Sequence, residues 1–334
     1  MQMRMIGLVS VASVILGATA SNAQPGEEII LADPAFSLTF SAGYIATDLG
    51  LWQKHGIRVK TVAITGIGSI NSVISGSSHF AQASASSFGR AAARGQRLLA
   101  IAATIDRPFA QLILRKEIAT GKGFDPKAPL EKRAAVIKGQ TIAVDSVASM
   151  IHAYVRLVGA RAGIGPDDVR YAPMAPNSML AAFQSNQIDG FAMSLPWPLK
   201  PVQDGEALLI ASGPDGDPGD MVPFGHNLIV TKPETCAQKK AVCQAVGRSI
   251  AEATAFIKNK PDEALALLKK RFPTLDEKLI AAGFEELKKV TPSPPIASRA
   301  SIENSEIFNV GAGLLKPEEK LTSYDGLFTD EYVK

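Results

Sequence analysis

Short apolar runs alternate along the chain with segments whose apolar positions recur at helical spacing. That order predicts an α/β protein with mainly parallel strands. Ile29–Ala32 is a first strand, Tyr44–His55 a helix closed by Gly56, and Ile57–Ile64 a strand alternating with period two. The loop Gly66-Ile67-Gly68 leads into a helix over Ser69–Ile74, then a strand at Phe80–Ala83, a helix over Ser87–Ala93 and a strand at Leu98–Ala102. The pattern then restarts. Gln140–Val144 is a strand, a long helix runs to Ala162, and Gly163–Pro166 breaks it. Asp168–Tyr171, Gly190–Met193, Leu208–Ile210 and Leu228–Val230 read as strands, with a helix over Ser178–Gln184 and a loop over Gly213–Pro223. From Cys243 onward the chain is mostly amphipathic helix, with Val246, Ile250, Ala253, Phe256 and Ile257 on one face.

The restart is also visible in the letters. Ser75-Gly76-Ser77-Ser78-His79-Phe80-Ala81-Gln82-Ala83-Ser84 parallels Ser185-Asn186-Gln187-Ile188-Asp189-Gly190-Phe191-Ala192-Met193-Ser194. Each follows a helical run and ends in Ser. Two lobes built alike, facing each other across a hinge, place both sets of strand carboxyl ends on one cleft, where such sheets bind ligands.

The ends and the composition narrow the class. Arg4, an apolar run over 5–16 and the small-x-small triplet Ser21-Asn22-Ala23 match a secretory leader cleaved after Ala23. The run is too short for a bilayer, which takes about 20 residues. The mature chain of about 310 residues is long enough for two domains. Formal charge is +3 and the basic residues are dispersed, which argues against a nucleic-acid face. The two cysteines, Cys236 and Cys243, are expected to be bridged in an exported chain. Seven residues of continuous helix separate them too far, so Cys236 is expected in a loop folded back on the first turn of the helix that carries Cys243.

Several segments resemble the transport-receptor family for aliphatic sulfonates, taurine, nitrate and the pyrimidine precursor of thiamine. Residues Tyr44 to Ile57 are similar to its opening helix, Ile137 to Val144 to the start of its second lobe, and Ala162 to Val169 and Leu180 to Gly190 to later segments. The resemblance implies a two-lobed periplasmic-binding-protein fold of type II, each lobe a mainly parallel sheet flanked by helices. Residues 24–114 and 225–334 would form one lobe and 115–224 the other, with crossings near Leu114-Arg115 and Gly225–Asn227. It also implies a periplasmic location, a small-molecule ligand, a membrane permease of an ABC importer as partner, a monomeric state and no cofactor or metal. His79 stands where the family's first-lobe turn carries Asp. The enzymes among its pyrimidine-synthesising relatives carry a Cys-rich motif absent here.

Loops after strands supply the candidate ligand contacts: Phe36; Gly66, Ile67, Gly68 and Ser69; Ser84, Ser86 and Ser87; Asp145, Ser146 and Ser149; Asn177; Ser194 and Trp197; and His226 near the return crossing. Gly and Ser at helix starts let an anion approach free N–H groups, although the same serines can cap their own helices. Trp197 between Pro196 and Pro198 is expected on a stiff loop as a cleft wall or a loop anchor. Few aromatics and many Ser and Gly point to a small organic anion. A pyrimidine precursor, an aromatic carboxylate or a pyrimidine-synthesis-like enzyme are the alternatives. No nucleophile elbow, zinc-protease motif, phosphate loop or His cluster supports catalysis or metal uptake.

N-terminal sequencing of the protein from its native host is expected to begin at Gln24; an intact Met1 would contradict the leader.

Overall fold

The computed structural model describes residues 26–334, so the expected leader and its cleavage site lie outside the described residues. In chain order the first block is β1 (Glu27–Asp33), α1 (Ser41–Asp48), α2 (Leu51–Lys54), β2 (Ile57–Ala63), α3 (Gly68–Ser75), β3 (Phe80–Ala83), α4 (Ala85–Ala93) and β4 (Leu99–Ile105). The second is β5 (Ala110–Arg115), α5 (Lys116–Gly121), α6 (Leu130–Ala134), β6 (Thr141–Val144), α7 (Met150–Arg161), β7 (Arg170–Pro173), α8 (Pro176–Gln184), β8 (Gly190–Ser194), α9 (Leu199–Gln203) and β9 (Ala207–Ser212). The chain returns through β10 (Asn227–Thr231) into α10 (Pro233–Gln238), α11 (Lys240–Asn259), α12 (Pro261–Arg271), α13 (Glu277–Val290) and α14 (Arg299–Gly311).

The strands form two five-stranded sheets of the same topology, β2-β1-β3-β10-β4 and β7-β6-β8-β5-β9. In each, three strands pair in parallel, and a fourth position is filled by an antiparallel strand contributed by a crossing between lobes. The sheets are therefore mixed, with one strand in each reversed against the rest.

One boundary differs from the expectation. Ala110–Arg115 pairs with Gly190–Ser194 and with Ala207–Ser212, so it belongs wholly to the second lobe. The outward crossing is Asp106–Phe109, upstream of Leu114-Arg115. Burial on both faces removes the alternation that would mark this segment as a strand in the sequence. The return crossing runs beside it: Phe224 N–H donates to Asp106 O at 2.7 Å and His226 N–H to Ile105 O at 3.1 Å. The last helix is shared rather than confined to one lobe. Ser86 of α4 bonds Asn309 of α14, while Phe308 of α14 meets Phe224 at 4.9 Å in the second-lobe core.

The repeated turns do the same work with different residues. Asp189 accepts from Thr141 N–H at 2.7 Å and returns its own N–H to Thr141 O; His79 Nδ1 accepts from Ile30 N–H at 3.0 Å and returns its N–H to Ile30 O. Imidazole and carboxylate thus present the same acceptor to the neighbouring strand, which is why a His can stand in this turn.

Two helical expectations are also corrected. The Tyr44–His55 helix is two helices, because Gly50 takes a left-handed conformation at φ 66°. Cys236 lies in its own short helix rather than a loop. The chain breaks at Lys239, bringing the Cα atoms of Cys236 and Cys243 to 5.5 Å within a disulfide. Free-thiol labelling of denatured, unreduced protein is expected to modify neither cysteine. Replacing both by Ser should cost about 2–3 kcal/mol for so short a loop. Labelling of both would contradict the bridge.

Candidate functional site

The carboxyl ends of β1, β3, β6 and β8 converge between the lobes, and the segments that leave them form a closed cleft. Leu38 N–H donates to Leu195 O at 2.9 Å and Trp197 Nε1 to Phe36 O at 2.6 Å, each linking one lobe to the other. Arg90 of α4 reaches the backbone oxygen of Ala148, just before α7. Gly66 lies so close to Ser146 that a Cβ there would sit 1.9 Å from its Oγ, so only glycine fits this approach.

The cleft has two chambers. The outer, about 410 Å³, is walled by Phe36, Tyr44 and Trp197 and includes Asp33, Asn177 and Arg271. The inner, about 50 Å³, reaches the hinge and is lined by Thr39, Ser69, Ser84, Ser87, Ser194, His226 and Asn227 among others. Pro34, Ala35 and Asp145 line both. The outer chamber has the volume of a compact organic molecule, and the inner has room for one small functional group.

The residues singled out from sequence divide accordingly. Gly66, Ser69, Ser84, Ser87, Asp145, Ser149, Ser194 and His226 line the inner chamber, and Phe36, Asn177 and Trp197 the outer. Trp197 is buried, combining the two expected roles as cleft wall and loop anchor. Ser86, expected at the cleft, lines neither chamber. It exchanges hydrogen bonds with Asn309 and fastens α4 to α14, away from the cleft. Ile67 and Gly68 start α3 without lining either chamber, because the turn at Gly66 carries them behind it. Ser146 also lines neither; its Oγ is buried against Gly66 without a partner. Ser84 and Ser149 do cap their helices, accepting from Ser87 N–H and His152 N–H, so capping and cleft lining coincide.

Three contributors lie outside the residues that the sequence singles out. Asp33 ends β1 as Asp145 follows β6, and the strand-end rule that singled out Asp145 applies equally to it. Asn227 sits one residue from His226, while Thr39 falls in the loop 36–40 expected at the cleft after the first strand. Arg271 arrives from the end of α12 and carries no local signal.

Charge in the cleft is dominated by carboxyls. Burial pushes Asp33 from 3.8 up to about 7, partly offset by the hydrogen bond from Gln82 and by Arg271. Burial also raises Asp145 to about 6, against the hydrogen bond from Ser149 Oγ at 2.5 Å and backbone donors. Among the described lining residues Arg271 is the one cation, and Asp48 holds its guanidinium with two hydrogen bonds of 3.0 and 2.6 Å. His226 is neutral because burial depresses it to about 3. Its Nδ1 accepts from Phe109 N–H at 3.1 Å, so Nε2 carries the proton and points at Ser194 Oγ, 3.4 Å away.

Two like lobes, strand exchange at the crossings and a cleft at the strand ends define the type II periplasmic-binding-protein architecture. The chain belongs to the NMT1/THI5-like family, whose description matches residues 38–264. Its fold is shared with a protein from Bordetella bronchiseptica RB50, at TM-score 0.79 and 17% identity over 92% of this chain and 96% of that one. The alkanesulfonate-binding protein SsuA from Xanthomonas axonopodis pv. citri, bound to MOPS, aligns at 0.69 and 17% over 88% and 96%. The zinc-bound ligand-binding component of an ABC-type import system from Staphylococcus aureus aligns at 0.69 and 15% over 92% and 98%. No curated protein matches the chain.

A carboxyl raised on folding favours the folded state most below its unfolded value, and that contribution is lost as pH rises through the folded value. For Asp33 the window runs from about 4 to about 7. Asp33→Asn removes this dependence. Urea unfolding at the two ends of the window is expected to show the variant gaining on wild type by up to about 4 kcal/mol as pH rises, at about 1.4 kcal/mol per pH unit. Parallel pH profiles would contradict the assignment.

Proposed function

We propose that this chain is the solute receptor of an ABC importer. It closes its lobes on a small nitrogen-bearing molecule, uncharged or cationic, and delivers it to a membrane permease. The carrying observation is the pair of buried carboxyls, Asp33 and Asp145, that line the outer chamber, where Arg271, the one cation among its described lining residues, is already held by Asp48.

Magnitudes favour this ligand class over the small organic anion suggested by the Ser and Gly content. An anion about 4 Å from one carboxylate costs about 4 kcal/mol at an effective dielectric of about 20. A helix N-terminus returns about 0.3–2 kcal/mol. A ligand presenting N–H groups turns the carboxylate repulsion into attraction and adds donors to carboxyls that Gln82 and Ser149 only partly satisfy. The aromatic wall of Phe36, Tyr44 and Trp197 suits a flat ring, with Phe36 already stacked on Phe272 at 4.3 Å. Nitrogen heteroaromatics, including pyrimidines, fit these demands. A receptor role also explains the geometry at the hinge, since a ligand touching both lobes stabilises the closed form alone. Export and a periplasmic location follow for such a receptor, and no helix among the described residues is long and apolar enough to cross a membrane.

A thermal-shift panel of pyrimidines, amidines and amines against taurine, alkanesulfonates, nitrate and benzoate tests the reading. A nitrogen-bearing ligand at about 100-fold its Kd should add about 2.7 kcal/mol of stability, a rise of several degrees in Tm. Shifts produced by the anions alone would overturn the proposed ligand class.

A further inference from the structure

A chain of buried side chains runs from the outer chamber to the inner one. Asp33 Oδ1 accepts from Gln82 Nε2 at 2.8 Å. Gln82 Oε1 accepts from Asn227 Nδ2 at 2.8 Å, and the same Nδ2 donates to Thr104 Oγ1 at 2.7 Å. Gln82 is fully buried and Asn227 is 1% exposed. Asn227 lines the inner chamber, and its Oδ1 has no hydrogen-bond partner. Gly43 makes room for this arrangement: a Cβ there would stand 2.9 Å from Gln82 Nε2.

The direction of the chain follows from chemistry rather than from which amide atom is placed where. An ionised carboxylate only accepts, so Gln82 must turn its NH2 to Asp33. Its carbonyl then faces Asn227, which must answer with its own NH2. That leaves the Asn227 carbonyl as the group without a donor. Reversing either amide would set two acceptors or two donors against each other, each a buried unpaired group. Asp33 therefore decides, through two amides, what the inner chamber offers.

We propose that the Asp33–Gln82–Asn227 chain fixes the inner chamber as a hydrogen-bond acceptor, so that the receptor selects ligands whose inner end carries an N–H or O–H donor and discriminates against acceptor-ended or alkyl-capped analogues. The proposal rests on the nitrogen-bearing ligand class above and adds which end of the ligand is read. Asp33 and Gln82 are positioning residues for this purpose, and Asn227 is the group that meets the ligand. Thr39, whose Oγ1 is also buried without a partner beside the same chamber, can turn its hydroxyl to suit a donor or an acceptor and does not set the preference.

The test compares two cations of matched charge, 4-aminopyridine and 4-dimethylaminopyridine, which differ in the donors on the exocyclic nitrogen. Calorimetric titration at about pH 8, above the raised value of Asp33, is expected to show wild type preferring 4-aminopyridine by about tenfold to a hundredfold. Asn227→Ala removes the acceptor and opens space, so the preference should collapse toward parity. Asp33→Asn keeps the size of the side chain but lets either amide end face Gln82. It should weaken both cations together and still reduce their ratio, and it covers the case in which Asn227→Ala does not fold. Equal binding of the two probes by wild type, or a ratio unchanged in a folded variant, overturns the relay while leaving the ligand class standing. Binding of neither probe overturns the ligand class and the relay with it.

Discussion

The cleft is organised by one constraint: two lobes that close on each other bury polar groups at the ends of their strands, and each such group must find a partner or lose about 1–3 kcal/mol. Most are paired within the protein. Trp197 is answered by the backbone of Phe36, Arg90 by Ala148, and His226 by Phe109. Two residues that line the inner chamber, Asn227 and Thr39, each keep a buried side-chain oxygen without a partner, and the proposed ligand is placed beside them. The two raised carboxyls mark it again, because each is held out of water at a cost that a donor-bearing ligand relieves.

The doubled architecture explains why these groups meet. Each lobe receives as its fourth strand the segment that crosses between the lobes, β10 in the first and β5 in the second. His226 sits between the two crossings, bonded to Ile105 and Phe109 by its backbone and ring. The hinge and the candidate site therefore share a side chain, since His226 also lines the inner chamber. The shared helix α14, anchored to α4 through Ser86 and Asn309 and to the second-lobe core through Phe308, ties the lobes on a further side.

Much of this was legible in the sequence, for identifiable reasons. The Ser75–Ser84 and Ser185–Ser194 repeat announced two like lobes, and strand-end serines and Asp145 were found because Gly and Ser after an apolar run mark the start of a helix above a sheet. Strand β5 was missed because double-sided burial erases period two, which displaced the lobe boundary. Ser86 escapes the strand-end rule because adjacent helix positions point about 100° apart, so Ser87 faces the cleft while Ser86 faces α14. Composition is a weak guide to ligand charge: Ser and Gly mark helix starts, and the two carboxyls on which the proposed ligand class rests, Asp33 and Asp145, come together only in the fold. Arg271 and its partner Asp48 are 223 residues apart, a pairing no local pattern encodes.

A crystal structure of the protein isolated from its host with whatever small molecule accompanies it tests the central claim most directly. The account predicts a nitrogen-bearing ligand between the lobes, its ring against Phe36 and Trp197 and its donors on Asp145 and on the carbonyl of Asn227. An anion seated on the starts of α3, α4 and α7, or a ligand bound outside the cleft, would contradict it.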